Sequence, residues 1–387
     1  MNSEIQDDTN QPRPLPVLRA MIDAVDHQIL ELMAQRNAIV TEVANFKRSN
    51  AVRIRDFTRE RELLTDRRSR AGEMGIKPDV AESLWRLVLW ASRDRQAALR
   101  AEVPPNLEGR TIALIGGNGA MGRCFARLFQ DLGSTVMVAD QDTQLKATEA
   151  AACADAVLIT VPIDVTLDVI QEIGPHVREQ SLFCDLTSIK KAPVDAMLQS
   201  SSANVIGTHP LFGPSVHSLQ GQRIALTPAR IHDGSDWLDW LTQVLEARGM
   251  QIISTTPERH DQVMAIVQVL THFSTEVLGA TMAKLGFDLS ETIAFTSPVY
   301  LMDLYLTARH FAQDASLYAN IQHSNESTAA VTDTFARVAA DLNTIAANRD
   351  ETAFNSMFEQ VRSFFGEFTD EALEQSSFLI DRLVERT

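Results

Sequence analysis

Apolar side chains recur along the first part of the chain at alternating steps of four and three. Leu18, Ile22, Val25, Ile29, Leu32, Arg36, Ile39, Val43 and Phe46 fall on one such line. The spacing predicts one long helix from Leu15 to about Lys47 with a heptad seam, one position of which is an arginine. A second helix is predicted from about Phe57 to Arg70. A third, from about Asp79 to Leu99, follows a turn marked by Gly72, Gly75 and Pro78. Three helices in so short a stretch leave a monomer with an exposed apolar stripe, for which self-association is the natural remedy. Past a linker at Val103 to Gly109 the texture changes. Short apolar runs (TIALIG, TVMVAD, AVLITVP, SLFCDL, NVIGTHP, RIALTP, MQIIST) follow one another, most of the earlier ones separated by helical stretches. That alternation predicts a mostly parallel, doubly wound sheet with helices on both faces. After Pro257 the strand pattern stops and the chain reads as helical to Thr387. The predicted fold is multidomain, α and α/β: a helical module over 13–100, the sheet domain over 109–256 and a second helical domain over 257–387.

Composition narrows the classes. With 387 residues, 45% hydrophobic and 22% charged, the chain is of the soluble globular type and too long for one ordinary core. No uninterrupted apolar run reaches the roughly 18 residues of a membrane span. The first residues, MNSEIQDDTN, read as a loose polar tail without the character of a signal or transit peptide. Cys124, Cys153 and Cys184 have no metal-ligand spacing and form no even-numbered disulfide set, so a reducing cytoplasm is expected and no metal is implied. The net charge of −16 argues against nucleic acid as a partner. It is unevenly spread, however: residues 13–100 carry +5 and the remainder −21. A basic module joined to an acidic one suggests two tasks, the first involving an anion.

The sheet domain opens with a nucleotide signature. Gly117, Gly119 and Gly122 follow the first strand and lead into a helix, and the second strand ends at Asp140. In that context the pattern predicts a Rossmann-type dinucleotide site. Gly117 is expected to permit the tight turn, Gly119 to let the backbone approach a pyrophosphate, and Gly122 to let helix and strand pack, with Met121 beside them. The pyrophosphate would rest at the helix N-terminus. Asp140 would accept hydrogen bonds from a ribose and repel a 2′-phosphate, which favours NAD over NADP.

In the basic module, Arg36 and Lys47 lie eleven residues apart, so they project from one helix face within about 20° and some 16 Å apart. Arg19 points about 100° away and suits a partner's site better than its own. Asp56, Arg59 and Glu60 cluster at the next helix start, and Ser92 and Gln96 are an i, i+4 pair on the third. A charge on an apolar seam, as at Arg36, is costly unless it is used. Taken together these positions resemble the all-helical class of chorismate mutases over Leu15 to Leu99. The resemblance implies an intertwined dimer and the cofactor-free Claisen rearrangement of chorismate to prephenate. Arg19 (from the other subunit), Arg36 and Arg59 would clamp carboxylates. Lys47 and Gln96 would meet the charge growing on the ether oxygen, while Asp56 and Glu60, helped by Ser92, would bind the ring hydroxyl.

Downstream, DLTSIK (Asp185 to Lys190), GTHPLFGP (Gly207 to Pro214), His260-Asp261 with Ala265, His272, Ser297-Pro298-x-Tyr300 and Arg309-x-Phe-Ala-Gln-Asp314 resemble the prephenate dehydrogenases. The whole arrangement is similar to the bifunctional chorismate mutase/prephenate dehydrogenases. This implies NAD-dependent oxidative decarboxylation of prephenate to 4-hydroxyphenylpyruvate in the service of tyrosine biosynthesis, and a C-terminal helical dimerisation domain, hence a homodimer. His209, neutral, would accept a hydrogen bond from the ring hydroxyl as hydride leaves. Ser188 would hold the imidazole or the hydroxyl, Arg309 a substrate carboxylate, His272 the pocket wall, and Lys190 an anionic group. His260 reads equally well as a helix-start residue or a functional one. Where the family carries a second arginine, eight residues before Arg309, this chain has Leu301. Feedback by L-tyrosine, usual in the family, is expected at or near the dehydrogenase site. The competing readings are a β-hydroxyacid-type NAD dehydrogenase with an inert helical dimeriser, against which Arg36 on the seam counts, and a non-catalytic ligand sensor, against which His209 and Lys47 count.

Overall fold

A computed structural model describes residues 13–49, 56–98, 109–216 and 218–384. The N-terminal tail, the linker around Val103 and the predicted helix end at Leu99 lie outside them. The first module is three helices: α1 (Leu15–Ser49), α2 (Phe57–Glu73) and α3 (Pro78–Ala98). Asp56 opens α2 by accepting the Arg59 backbone N–H at 3.0 Å, a cap that contributes about 0.5–2 kcal/mol. Only the last part of α1 meets its own chain, where Val40 and Ala44 are buried. Leu18, Ile22, Val25, Ile29 and Leu32 all stand exposed, so the stripe expected from the heptad seam is real and uncovered in a single chain.

All seven predicted strands form: β1 (Thr111–Ile115), β2 (Thr135–Ala139), β3 (Ala156–Ile159), β4 (Leu182–Asp185), β5 (Asn204–Pro210), β6 (Arg223–Arg230) and β7 (Gln251–Ser254). They make one sheet in the order β2-β1-β3-β4-β5-β6-β7, parallel except where β6 returns against β5. Helices α4 (Ala120–Asp131), α5 (Ala147–Cys153), α6 (Ile163–Ile173), α7 (Lys191–Ser200) and α8 (Trp237–Ala247) cover it. Because both faces are covered, β1, β3, β4 and β5 read as apolar runs rather than alternating ones. One face packs Leu114, Leu158, Phe129 and Trp240, and the other Ala113, Val157, Phe183 and Val205. The connection from β1 runs outward to β2 and then back across to β3, so a crevice opens beyond their carboxyl ends, where ligands bind in such sheets.

The remaining elements are α9 (Pro257–Met264), a π-helical turn (Ala265–Leu270), α10 (Thr271–Leu285), α11 (Leu289–Ala294), α12 (Pro298–Phe311), α13 (Ala315–Ser324), α14 (Thr328–Asn348), α15 (Glu351–Phe365) and α16 (Phe368–Val384). The continuous helix Pro257–Leu285 has the length and overall hydropathy of a membrane span, although its sequence is interrupted by polar residues. Those residues, Gln268, His272 and Glu276, turn toward groups of this same chain. Helices α14 and α15 bury none of their residues in the single chain, and Phe354, Phe358 and Phe364 are exposed. Like α1, they present apolar surface that one copy does not cover.

Candidate active sites

The nucleotide loop follows β1. Gly116, not Gly117, takes the left-handed turn (φ +83°), and a Cβ there would lie 2.6 Å from Val161 Cγ1. This corrects the role expected of Gly117, whose missing side chain instead admits Val138, 2.8 Å from an ideal Cβ. Gly122 packs its backbone on Gly117, and a Cβ would meet Gly117 Cα at 2.7 Å. Gly119 has no comparably close neighbour. It is the N-cap of α4 and supplies no side-chain cap, so the helix N-terminus remains open to a pyrophosphate. Met121 packs beside it on the sheet core. The Asp140 carboxylate accepts the backbone N–H groups of Asn118 at 2.9 Å and Gln141 at 2.8 Å. Those bonds hold an acidic group at the end of β2, beside the loop, and the residues fit an adenosine dinucleotide.

On the same carboxyl edge, His209 is the penultimate residue of β5. Its imidazole is 3% exposed and its Nδ1 lies 2.9 Å from His260 Nε2. His260 Nδ1 in turn lies 2.7 Å from Asp261 Oδ1. Asp261 also receives the backbone N–H of Lys190 at 2.8 Å and of Lys191 at 2.9 Å. The chain of partners sets the tautomers. A carboxylate only accepts, so His260 has a proton on Nδ1, and in the neutral ring its Nε2 is then a lone pair. His209 therefore donates from Nδ1, leaving its own Nε2 as an acceptor. That nitrogen faces the Gln268 amide at 3.5 Å. Burial holds the His209 pKa well below the ordinary histidine value, reinforced by His260 and the Lys190 ammonium, so the ring is neutral at physiological pH. For Asp261, burial alone acts upward, but the His260 hydrogen bond and the Lys191 and Lys190 amides outweigh it and keep the carboxyl ionised.

Two expectations change here. Lys190 does not anchor a substrate anion: its side chain is wholly buried and its ammonium bonds Asp185, Thr208 O at 2.7 Å and Thr187 Oγ1 at 3.3 Å. The anion it serves is internal. Nor, among the described residues, does a hydrogen bond join Ser188 to the imidazole, whose Nδ1 faces His260 and whose Nε2 faces Gln268. Ser188 stands partly exposed at the cleft edge after β4, where only its expected contact with a hydroxyl remains open.

Further along the helix that carries Gln268, His272 sits edge-on to Tyr318 at 4.8 Å and 5.6 Å from the His310 ring. Burial lowers its pKa, and its Nδ1 is enclosed without a partner. His310 bonds Glu276 at 3.1 Å, and Gln322 holds both oxygens of that carboxylate. Burial raises the Tyr318 pKa against the opposing pull of nearby Arg309. Arg309 itself is exposed near the end of α12, and Leu301 is buried two turns earlier.

In the helical module, Arg36 donates to Ser92 Oγ and lies 5.9 Å from the Trp85 ring centre. Its pKa is lowered by burial and by Arg67, which stacks on the same ring at 5.0 Å. Gln96 donates to Ser92 O at 3.1 Å, leaving its Oε1 buried without a donor. The structure thus brings together Arg36, Ser92 and Gln96, which the family resemblance places at one site. Lys47 is half-buried on α1. Three positions behave differently from expectation. Asp56 uses a carboxylate oxygen as the α2 cap, and Glu60 pairs with Arg93 at 2.6 Å, with both side chains mostly covered. Gln96, as oriented, turns an acceptor rather than a donor into the enclosed space. Arg19 and Arg59 face solvent, and among the described residues Arg59 pairs with Glu62 at 3.7 Å. Sequence reasoning missed Arg93, Gln268 and Gly116. A positive charge beside Ser92 was a visible signal for the first, whereas the π-helical turn that aims Gln268 leaves no mark in the spacing.

Comparison with known proteins accords with this geometry. Residues 18–97 match chorismate mutase type II, 127–254 the nucleotide-binding domain of prephenate dehydrogenase, and 256–360 the prephenate dehydrogenase dimerization domain. The fold and the two sites define a bifunctional enzyme, a chorismate mutase joined to a prephenate dehydrogenase. The chain belongs to the T-protein family: it is 31% identical to the T-protein of Haemophilus influenzae over 365 residues, covering 94% of this chain and 96% of that one. To the T-protein of Enterobacter agglomerans it is 33% identical over 368 residues, covering 95% and 97%. A solved prephenate dehydrogenase from A. aeolicus, in complex with hydroxyphenyl propionate and NAD+, shares the fold (TM-score 0.55, 18% identity, 66% of this chain and 96% of that one). The chain thus carries both activities, rearrangement of chorismate and oxidative decarboxylation of prephenate.

Proposed function

We propose that the His209–His260–Asp261 relay is the catalytic device of the dehydrogenase, and that it works with NAD bound over the Gly116–Gly122 loop and Asp140. The observation carrying this reading is the hydrogen-bonded line from Asp261 through His260 to His209, which, with both rings neutral, leaves His209 Nε2 as an acceptor in a buried site. NAD+, when bound, supplies the hydride acceptor. His209 accepts the hydrogen bond of the prephenate ring hydroxyl and polarises it while the carbinol carbon gives up hydride and the ring carboxylate departs as CO2. The imidazole need not keep the proton, because the product is a phenol. Its value lies in being neutral and correctly oriented when charge develops on oxygen. Asp261 and His260 hold that orientation. Arg309 and the His272–Tyr318 wall would receive the substrate's carboxylate and side chain, and Ser188 the hydroxyl. L-tyrosine, which like the substrate has a six-membered ring with a para oxygen and a side-chain carboxylate, would compete for the same wall.

For the mutase, Arg36 and a partner's Arg19 would grip the carboxylates of chorismate, and Lys47 would be the principal donor to the ether oxygen. Gln96 assists only if its amide turns. Arg59 must swing inward, and Glu60 acts already paired with Arg93. The uncovered stripe on α1 and the bare faces of α14 and α15 support a homodimer, and we assign the enzyme to the cytoplasm. The test is a coupled assay. Purified protein given chorismate and NAD+ should produce NADH and 4-hydroxyphenylpyruvate, and His209→Asn should stop the sequence at prephenate. Continued NADH formation by that variant would refute the assigned role.

A further inference from the structure

Lys190 and Asp185 are a fully buried ion pair that the chemistry does not consume. Such a pair seldom stabilises a fold more than apolar residues of the same size would, since desolvation offsets the attraction. Its placement is more informative than its charge. The Lys190 ammonium donates to the carbonyl of Thr208, the residue directly before His209. The backbone N–H of the same residue donates to Asp261, the far end of the relay. Its aliphatic stem passes Gly207, where an ideal Cβ would come 3.2 Å from Lys190 Cδ. Glycine at that strand position makes room for Thr227 and Val194, which come closer still, as well as for the lysine. Asp185 is held in place by the Thr187 hydroxyl and backbone N–H, and the Asp185 carbonyl accepts from the Thr208 hydroxyl. The strand end bearing His209 and the helix bearing His260 and Asp261 come from distant parts of the chain, and Lys190 bonds to both.

We propose that Lys190 is a positioning residue of the dehydrogenase: its ammonium fixes the strand at His209 and its main chain fixes Asp261, so one residue sets both ends of the relay. The proposal rests on the relay reading above. The charged and titratable groups around His209 are His260 and Asp261 from α9, Lys190 from the segment before α7, and Asp185 at the end of β4. Of these, Lys190 also helps keep the imidazole neutral.

The test replaces both charges at once, Asp185→Asn with Lys190→Met, so that no unpaired charge is left buried. Dehydrogenase kcat, KM for prephenate and NAD+, and the pH profile are measured, with mutase turnover and thermal melting as controls for folding. Loss of alignment should lower kcat by about tenfold to a hundredfold with little change in either KM. Loss of the neighbouring ammonium should move the acid limb of activity to higher pH. Wild-type kcat and acid limb in a folded double variant would overturn the proposal. His260→Ala is measured in parallel. If it is impaired while the double variant is not, the relay stands and the clamp falls; if it retains wild-type turnover, both fall. Should the double variant fail to fold, Lys190→Gln, uncharged and too short to reach Thr208, carries the same readouts.

Discussion

The two active sites are built in different ways. The dehydrogenase relay is complete within one chain: three side chains in line, both imidazoles almost wholly buried and each hydrogen-bonded to its neighbour. The mutase site is only partly assembled. Arg36, Ser92 and Gln96 meet, but Arg19 and Arg59 stand in water beside an uncovered apolar stripe. A sheet buries its strand ends under helices and can hold a neutral imidazole in a low-dielectric setting without outside help. A three-helix module of this size has little interior, and the proposed cationic pocket would draw on a second copy for both walls and charge. The difference teaches that the dehydrogenase should tolerate dilution of the dimer through α1, whereas the mutase should not.

Substitutions that separate the two sites give the largest expected effects. His209→Asn should lower dehydrogenase kcat by about 10²–10⁴-fold while leaving mutase turnover intact, as read in separate assays with prephenate and chorismate. Lys47→Ala should lower mutase kcat by about 10²–10³-fold, roughly 2.7–4 kcal/mol, without altering NADH formation from prephenate. If either change silenced both reactions in folded protein, independent sites would be the wrong description. Next in size is the stripe: Ile22→Glu with Val25→Glu should cost the mutase about tenfold at low protein concentration by analogy with mass action on association. Sedimentation and activity should fall together, with the dehydrogenase little affected. Arg309→Ala should act more mildly, raising KM for prephenate more than it lowers kcat if the contact is equally strong in ground and transition states.

The pH profile is the finest discriminator. In the proposed role His209 acts as the neutral ring, so activity should be lost as pH falls through its folded pKa. Because burial, His260 and Lys190 depress that value, the acid limb of kcat/KM should lie below the ordinary histidine value near 6.5. An acid limb at or above that value would mean that the ring titrates in a more solvated setting than the structure shows.

Much of this was legible in the chain because local order writes itself as period. The heptad line foretold α1 and its bare stripe, the seven apolar runs became the seven strands, and the glycine pattern marked the nucleotide loop. Arg36 and Ser92 are assigned to one site by the family resemblance alone, since no spacing joins residues of α1 and α3. What no spacing could reveal were the meetings of distant segments. His209 finds His260 only because β5 and α9 converge at one sheet edge, and Gln268 is aimed by a π-helical turn. Lys190 illustrates the limit most clearly. As a residue type it suggested a hand for an anionic substrate, yet packing turned it inward to Asp185 and Thr208. Periodicity encodes which face of an element is apolar, a property of neighbours in the chain. Whether a charged group ends up in water, in a ligand site or locked in an internal pair depends on what the other elements place over it, and that is settled only when they pack.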